Sequence, residues 1–328
     1  MININIMNDI TQFPYGNLIL EDSYVVASIL FILGLKMLSQ PVTARRGNTL
    51  AAIGMGLAII STILFHQKDG KSIGNIGLII AAIGIGTIIG WLIAKRVKMT
   101  AMPQLVSLFN GMGGAAAALI SMIEFPNVSP ELIAKSGMAN LYVLVILIAL
   151  LIGTVSWAGS MIAFGKLDGW IGDMRIKAMK YVNLSILAVL IGFIVYIMTR
   201  HVTASSELMP LIYIMFIVAV VYGVLFVMPI GGADMPVVIS LLNSFTGVAA
   251  AMGGFLYHNQ AMLTGGILVG SAGTILTILM CKAMNRSLLN VIVGAFGAGG
   301  QPSVAIAGSV KEISLSDATR RPRRACPQ

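Results

Sequence analysis

The sequence is divided into long apolar blocks separated by short polar segments, and this division constrains the fold more than any other feature. About 20 consecutive apolar residues is the length that an α-helix needs to cross a bilayer. The blocks predict transmembrane helices at about residues 24–38, 48–65, 73–94, 103–123, 139–164, 182–199, 210–229, 236–256 and 262–283. We therefore predict an all-α fold, a polytopic membrane helix bundle of about nine transmembrane helices.

The composition agrees with repeated membrane crossing. The chain is 57% hydrophobic and 10% charged, whereas a soluble domain has roughly 25% charged residues. Its net charge is +9, but the basic residues lie between apolar blocks and no aromatic residues are interleaved with them, so we predict no nucleic-acid partner. Cys281 and Cys326 form no disulfide framework, and no metal-ligand spacing occurs, which predicts no metal site.

The distribution of Lys and Arg predicts the orientation. With a cytoplasmic C-terminus, the inner segments hold twelve Lys and Arg before the terminal tail, and the outer segments hold four. The positive-inside rule then places the N-terminus outside and the C-terminus in the cytoplasm. No basic segment precedes the first apolar block, so we expect no cleaved signal peptide. The inner turn at residues 229–234 is an exception, because it has no basic residue and one acid, Asp234.

Two of the predicted helices begin with related sequences. MPQLVSLFNGMGGAAAAL starts at Met102 and MPVVISLLNSFTGVAAAM starts at Met235, and nine of these eighteen positions are identical. Both helices run from inside to outside, so the pattern indicates a parallel repeat. Transporters often place their sites at the interface of such repeats. Chance similarity between two Ala- and Gly-rich helices is the alternative.

The repeat has polar residues at matched positions. Pro103 and Pro236 suit the first turn of a helix, and Asp234 is placed to act as an N-cap or to do chemistry. Asn110 and Asn243 lie roughly 10 Å into their helices, where an amide needs partners. They would flank one hydrated path, or join helices by hydrogen bonds, and both interpretations remain open.

The last helix adds small polar residues, and histidines occur only near helix ends. Ser271 and Gly273 would line a narrow polar path or permit close packing. No carboxylate lies in the middle of a predicted helix. The histidines His66, His201 and His258 fall at outer helix ends, where a solvated His is common although it can also relay protons.

Four strings resemble one known family. GGADMPVVISLLNSFTG (231–247), CKAMNRSLLNVI (281–292), MPQLVSLFNGMGG (102–114) and AGSMIAFGKLDG (158–169) are similar to the beta subunit of the proton-translocating NAD(P) transhydrogenase, and the similarity covers nearly all of residues 23–300. The resemblance implies hydride transfer between NAD(H) and NADP(H) coupled to proton passage. It also implies an alpha subunit that holds NAD(H), a following soluble domain that holds NADP(H), a dimeric complex and a bacterial inner-membrane location.

The resemblance also implies roles for individual residues. It places Asp234 at the cytoplasmic end of the proton path and Asn243 within the path. It also assigns the Ser-x-Gly motif of the last helix, here Ser271 and Gly273, to the path. The basic pair near the junction with the soluble domain corresponds to Lys282 and Arg286. Some family members have a protonatable histidine at the position of Asn110. Asparagine does not titrate near neutral pH, so here we expect Asn110 to orient water while another group titrates.

The end of the chain departs from the family pattern. After residue 314 the family continues into the NADP(H)-binding domain, whereas this chain ends ATRRPRRACPQ, with neither a βαβ pattern nor a Gly-rich loop after a strand. We expect a periplasmic N-terminal segment at 1–22, a transmembrane proton-translocating domain at 23–286, the start of a linker at 287–314 and an aberrant or truncated tail at 315–328. By itself, this chain is expected to bind no nucleotide and to catalyse no hydride transfer.

Two other functions remain open at the level of the sequence. A secondary transporter of a small solute would use the same parallel repeat, and a broken helix or a buried charge facing a midplane cavity would favour it. An inert truncated fragment is the other, and the unusual tail motivates it.

Overall fold

The computed structural model describes residues 16–68, 71–72, 75–127, 139–172, 179–200 and 208–285. Within these ranges, nine helices are long and apolar enough to span a membrane, so the predicted polytopic helix bundle is confirmed. Two short strands, β1 (Gln67–Lys68) and β2 (Lys71–Ser72), pair antiparallel between the second and third helices. The helices are α1 Gly16–Leu38, α2 Ala44–Phe65, α3 Ile76–Arg96, α4 Met102–Glu124, α5 Ala139–Leu167, α6 Met179–Arg200, α7 Met209–Val227, α8 Met235–Leu256 and α9 Gln260–Ala283.

The first helix is longer than the sequence predicts. It begins at Gly16, eight residues before the predicted start at residue 24. Glu21 and Asp22 interrupt the apolar run, and for this reason the pattern placed the helix after them. In the structure both acids are exposed, while Leu20 and Tyr24, one turn apart, are buried on the opposite side. Helix α1 therefore includes residues that the sequence pattern assigned to the N-terminal segment.

The starts of the helices follow from local chemistry. Pro103 and Pro236 lie in the first turns of α4 and α8, as predicted, where a missing N–H leaves no hydrogen bond unmade. Asn259 caps α9, because its side-chain oxygen accepts a hydrogen bond from the Met262 amide at 2.9 Å. Asp234 stands at the N-cap position of α8, but its side chain makes no capping hydrogen bond. Of the two roles that the sequence left open for Asp234, the capping role is therefore not observed.

Helices α5, α7 and α8 form the centre of the bundle. Their facing apolar side chains are almost fully buried and include Leu147, Leu150, Met215, Phe226 and Leu242. The peripheral helices expose Ile and Leu, and α3 buries none of its residues. An exposed apolar surface of this size suits a lipid environment, since lipid tails are as apolar as Leu.

Two helix hairpins, α4–α5 and α8–α9, use the same glycine contacts. A Cβ atom on Gly153 of α5 would lie 2.9 Å from the carbonyl oxygen of Gly114 on α4. A Cβ atom on Gly266 of α9 would lie 2.8 Å from the carbonyl oxygen of Gly247 on α8. Neither pair has room for a side chain, so glycine is what permits these backbones to touch.

The polar contacts of the two hairpins are also equivalent. The Ser107 hydroxyl on α4 donates to the Ser160 carbonyl on α5 at 2.8 Å. The Ser240 hydroxyl on α8 donates to the Gly273 carbonyl on α9 at 3.2 Å. In both the glycine and the serine contacts, the α8 residue is numbered 133 higher than its counterpart on α4. The α9 residue is likewise numbered 113 higher than its counterpart on α5. Matching registers at two levels favour a true parallel repeat over chance similarity.

The glycine contacts lead to a prediction about stability. Gly266→Ala would place a methyl group against the α8 backbone, and we expect it to lower the free energy of unfolding by about 1–3 kcal/mol. Thermal unfolding of the detergent-solubilised protein measures the change. Gly86→Ala on α3 is the control, because no atom lies within 4 Å of the added Cβ. Equal unfolding midpoints for the two variants would contradict the packing described here.

Candidate functional site

A column of polar side chains runs between α4, α5 and α8, and Asn110 is at its centre. This side chain is only 8% exposed. Its amide nitrogen donates to the Ser160 hydroxyl at 2.9 Å and to the Ser156 hydroxyl at 3.3 Å. We call the set the polar column, and it consists of Gln104, Ser107, Asn110, Ser156, Ser160 and Thr246.

Ser156 joins the three helices of the column. Its hydroxyl donates to the Leu242 carbonyl of α8 at 2.8 Å, and it lies 2.6 Å from the Thr246 hydroxyl. A hydroxyl has one proton to donate, so Ser156 accepts from Asn110 and from Thr246 when it donates to Leu242. Thr246 also reaches the Asn110 carbonyl oxygen, at 3.4 Å. These hydroxyls can therefore exchange donor and acceptor roles within the column.

Two amide oxygens of the column are buried without a partner among the described residues, Asn110 Oδ1 and Gln104 Oε1. The other end of the Gln104 amide donates to the Leu167 carbonyl at 3.2 Å. An unpaired buried acceptor costs roughly 1–3 kcal/mol, so each oxygen favours an additional hydrogen-bond donor. The column contains no group that ionises near neutral pH. It can orient donors and acceptors, but it cannot hold a charge.

Asn243 does not join Asn110. Its side chain is half-buried, and the described residues give it no hydrogen bond to the Asn110 amide. By helical periodicity it lies between Thr246, which faces α4 and α5, and Gly247, which packs on α9. The matched positions of the two amides therefore place them at equal depth on α4 and α8 but in different surroundings.

A second polar contact surface joins α8 to α9. Ser244 donates to the Gly270 carbonyl at 2.7 Å, and Thr277 donates to the Ser240 hydroxyl at 3.1 Å. Gly273 is buried here, as the close approach of α8 requires. Ser271 faces away, because it is exposed and its hydroxyl bonds to the carbonyl of Ile267 in its own helix. Ser271 is therefore not brought together with the other predicted site residues.

Asp234 lies in the turn between α7 and α8, at the end of the bundle where α4 and α8 begin. It is half-buried, and its carboxylate is close enough to Cys281 of α9 to act on the thiol electrostatically. Lys282 is exposed at the end of α9. Arg286, the other predicted coupling residue, lies outside the described residues.

Lys166, at the end of α5, is a site residue that the sequence pattern did not single out. Its half-buried ammonium group donates to the Ile230 carbonyl at 2.7 Å and to the Met228 carbonyl. These carbonyls follow the last residue of α7, where backbone acceptors have no helical partner and a cation is favoured. In the sequence, Lys166 resembles any basic residue at an inner helix end. Its contact across to the α7–α8 turn depends on packing.

Among the described residues, no three His, Cys, Asp or Glu side chains converge as metal ligands would.

Ser156 and Ser160 of the polar column, like Lys166, were not predicted from the sequence as site residues. Their spacing of four residues inside an apolar block puts two hydroxyls on one helix face, and this spacing was a signal that was available in the sequence.

Comparisons with known proteins decide the family. A model of the family described as NAD(P) transhydrogenase beta subunit matches residues 20–325. The chain belongs to the NAD(P) transhydrogenase beta subunit family. Two Rhodospirillum rubrum proteins, each named NAD(P) transhydrogenase subunit beta, are similar to it, with 41% identity over 304 residues. These matches cover 90% of this chain and 63% of each relative.

The Lys166 contacts predict how the turn of this family member responds to mutation. Lys166→Met should loosen the α7–α8 turn, because hydrogen bonds to a charged group contribute roughly 1.5–3 kcal/mol. Cys281 is free and buried beside this turn. In a Cys326→Ser background, we expect Cys281 to react with a membrane-permeant maleimide about tenfold faster in the variant. Lys282→Met at the same end is the control, and equal rates for both variants would contradict the assigned contact.

Proposed function

We propose that this chain is the membrane subunit of a proton-translocating NAD(P) transhydrogenase and conducts protons coupled to hydride transfer between NAD(H) and NADP(H). Family membership supports the proposal. The single structural observation that carries it is the polar column, with the buried Asn110 Oδ1, which has no partner among the described residues, at its centre. A membrane protein does not place an unpaired amide oxygen among three helices without cost.

The column supplies hydrogen-bonding groups along part of a proton path. Asn110 keeps its protonation state, so its Oδ1 orients a donor while the hydroxyls of Ser156 and Thr246 exchange hydrogen bonds beside it. Asn243 lies at the same depth on α8, and Gly273 keeps α9 close to that helix. Asp234 is the acid at the end of the path where α4 and α8 begin, and the Lys166 contacts hold its turn.

Family membership and the distribution of basic residues support the proposed orientation, location and partners. The inner segments are richer in Lys and Arg, so the Asp234 end faces the cytoplasm of a bacterial inner membrane and the N-terminus lies outside. The partner is an alpha subunit that binds NAD(H), in a dimeric complex. Lys282 and Arg286 contact the domain that binds NADP(H). The described residues do not themselves fit a nucleotide, because their only strands have two residues each and no helix follows a strand through a Gly-rich phosphate loop.

A solute transporter receives no support from the described residues. Each of the nine helices α1–α9 is continuous, so the broken helix expected of that function is not seen among them.

Replacing Asn110 and Asp234 tests the proposal. The chain would be reconstituted in liposomes with an alpha subunit and an NADP(H)-binding domain. NADPH-dependent reduction of an NAD⁺ analogue and quenching of a pH-sensitive dye would be followed together. Asn110→Leu and Asp234→Asn should each lower proton uptake about tenfold or more, because a relay step is lost.

Asn183→Leu is the matched control for these variants. Asn183 is a buried amide on α6 that donates to the Leu225 carbonyl, outside the polar column. The control should keep proton uptake close to the unmodified level. Normal uptake after replacement of both Asn110 and Asp234 would contradict the proposal, and so would an equal loss in the control.

A further inference from the structure

The helices of the polar column bring titratable groups together at the end opposite Asp234. Helix α4 ends at Glu124, and its carboxylate accepts a hydrogen bond from the Tyr257 hydroxyl at 2.7 Å. Close by, the Tyr142 hydroxyl of α5 lies 3.2 Å from His258 Nε2. The rings of Tyr142 and Phe255 also pack, with centroids 5.5 Å apart. Thus the ends of α4, α5 and α8 meet in one cluster of ionisable side chains.

We propose that Glu124, held by Tyr257, is the proton-binding site at this second mouth of the path. This proposal rests on the function proposed above. Among the described residues of α4, α5, α8 and α9, Glu124 is the one carboxylate. Its side chain is half-buried, so it remains in part accessible to solvent.

The internal repeat explains why these groups meet. Glu124 and Tyr257 occupy equivalent positions, with the same offset of 133 residues that relates Ser107 to Ser240. Because α4 and α8 run parallel, equivalent residues lie at equal heights. Gln104 and Glu124 are twenty residues apart on α4, which is about 30 Å along the helix. That distance matches the hydrocarbon thickness of a bilayer. Gln104 of the polar column and Glu124 therefore lie near the two ends of one membrane-spanning helix.

The chemistry of the cluster makes Glu124 the group that exchanges protons. Burial and, after it, the Glu124 carboxylate raise the pKa of Tyr257, so the phenol keeps its proton and acts as a fixed donor. His258 is exposed and faces the same mouth through Tyr142. Hydronium gives one proton to the Glu124 carboxylate and leaves water. The carboxylic acid then returns that proton to a water on the inner side, so only O–H bonds form and break.

The described cations of α4, α5, α8 and α9 lie away from Glu124. The lysines of α5 and α9, Lys166 and Lys282, lie at the Asp234 end. Nearby on the turn to α9, the Asn259 side chain donates to the Tyr24 hydroxyl of α1 and adds no charge. Among the described residues, Tyr257 is the titratable group bonded to Glu124, and the pair formed by Tyr142 and His258 lies at the same end of α5 and α8.

The decisive variant is Glu124→Gln, which keeps an acceptor for Tyr257 but cannot ionise. In the reconstituted complex, proton uptake and the coupled hydride transfer should fall roughly a hundredfold, as for loss of an acid–base group. A role in packing alone predicts nearly unchanged uptake, because the hydrogen bond survives. Tyr257→Phe should preserve most of the uptake, because the carboxylate that binds the proton is still present and only its hydrogen-bond donor is lost.

Two controls separate the possible failures. Glu21→Gln removes an exposed carboxylate on α1, whose Tyr24 contacts the same end of the bundle, and it should leave uptake unchanged. Asp234→Asn tests the path itself. If Asp234→Asn abolishes uptake while Glu124→Gln matches Glu21→Gln, this inference is overturned and the proposed function stands. If neither substitution affects uptake, the proposed function fails and this inference fails with it.

Discussion

The structure depends on the contact of helix backbones at glycine. Inside a bilayer the hydrophobic effect does not drive helices together, so association relies on close packing and on interhelical hydrogen bonds. At Gly114 with Gly153, and at Gly247 with Gly266, the hairpin helices approach until no side chain fits between them. This approach brings the serine hydroxyls of one helix to the carbonyls of the next. The hydrogen-bonding groups of the bundle are arranged around these contacts.

Because the same contact is made twice, α4 and α8 lie in parallel with equal registers. Thr246 of α8 reaches the Asn110 carbonyl of α4, and Tyr257 of α8 bonds to Glu124 at the end of α4. The interface between the repeats thus carries polar groups at its middle and at one end, and Asp234 lies at the other end. A proton path between these helices would follow from the duplication of a hairpin, without a broken helix or an ionised group in the middle of the membrane.

The helices and the depth of residues along them could be predicted from the sequence, because the bilayer requires them. Contacts that depend on how the helices pack could not be predicted. Long apolar blocks had to be helices, since lipid offers the backbone no hydrogen-bond partner. Depth along a helix followed from residue counting, whereas the burial of Asn110 depends on how α4 packs against α5 and α8. Rotation about the helix axis did not follow, and Ser271, which the family resemblance assigned to a proton path, is exposed on α9. Lys166 was missed because its carbonyl partners are more than sixty residues distant in sequence and adjacent only after folding.

A disulfide across the α4–α8 interface is the most direct test of how these helices pack. A Cβ atom on Gly113 would lie 3.0 Å from the Cγ2 methyl of Thr246, so α4 and α8 approach each other closely at this pair, as a disulfide requires. In a chain carrying Cys281→Ala and Cys326→Ser, the pair Gly113→Cys and Thr246→Cys should cross-link within one molecule when membranes are oxidised. The pair Gly113→Cys and Ser271→Cys should not, because Ser271 faces outward. Failure of the first pair, or equal cross-linking of both, would contradict the parallel arrangement of α4 and α8.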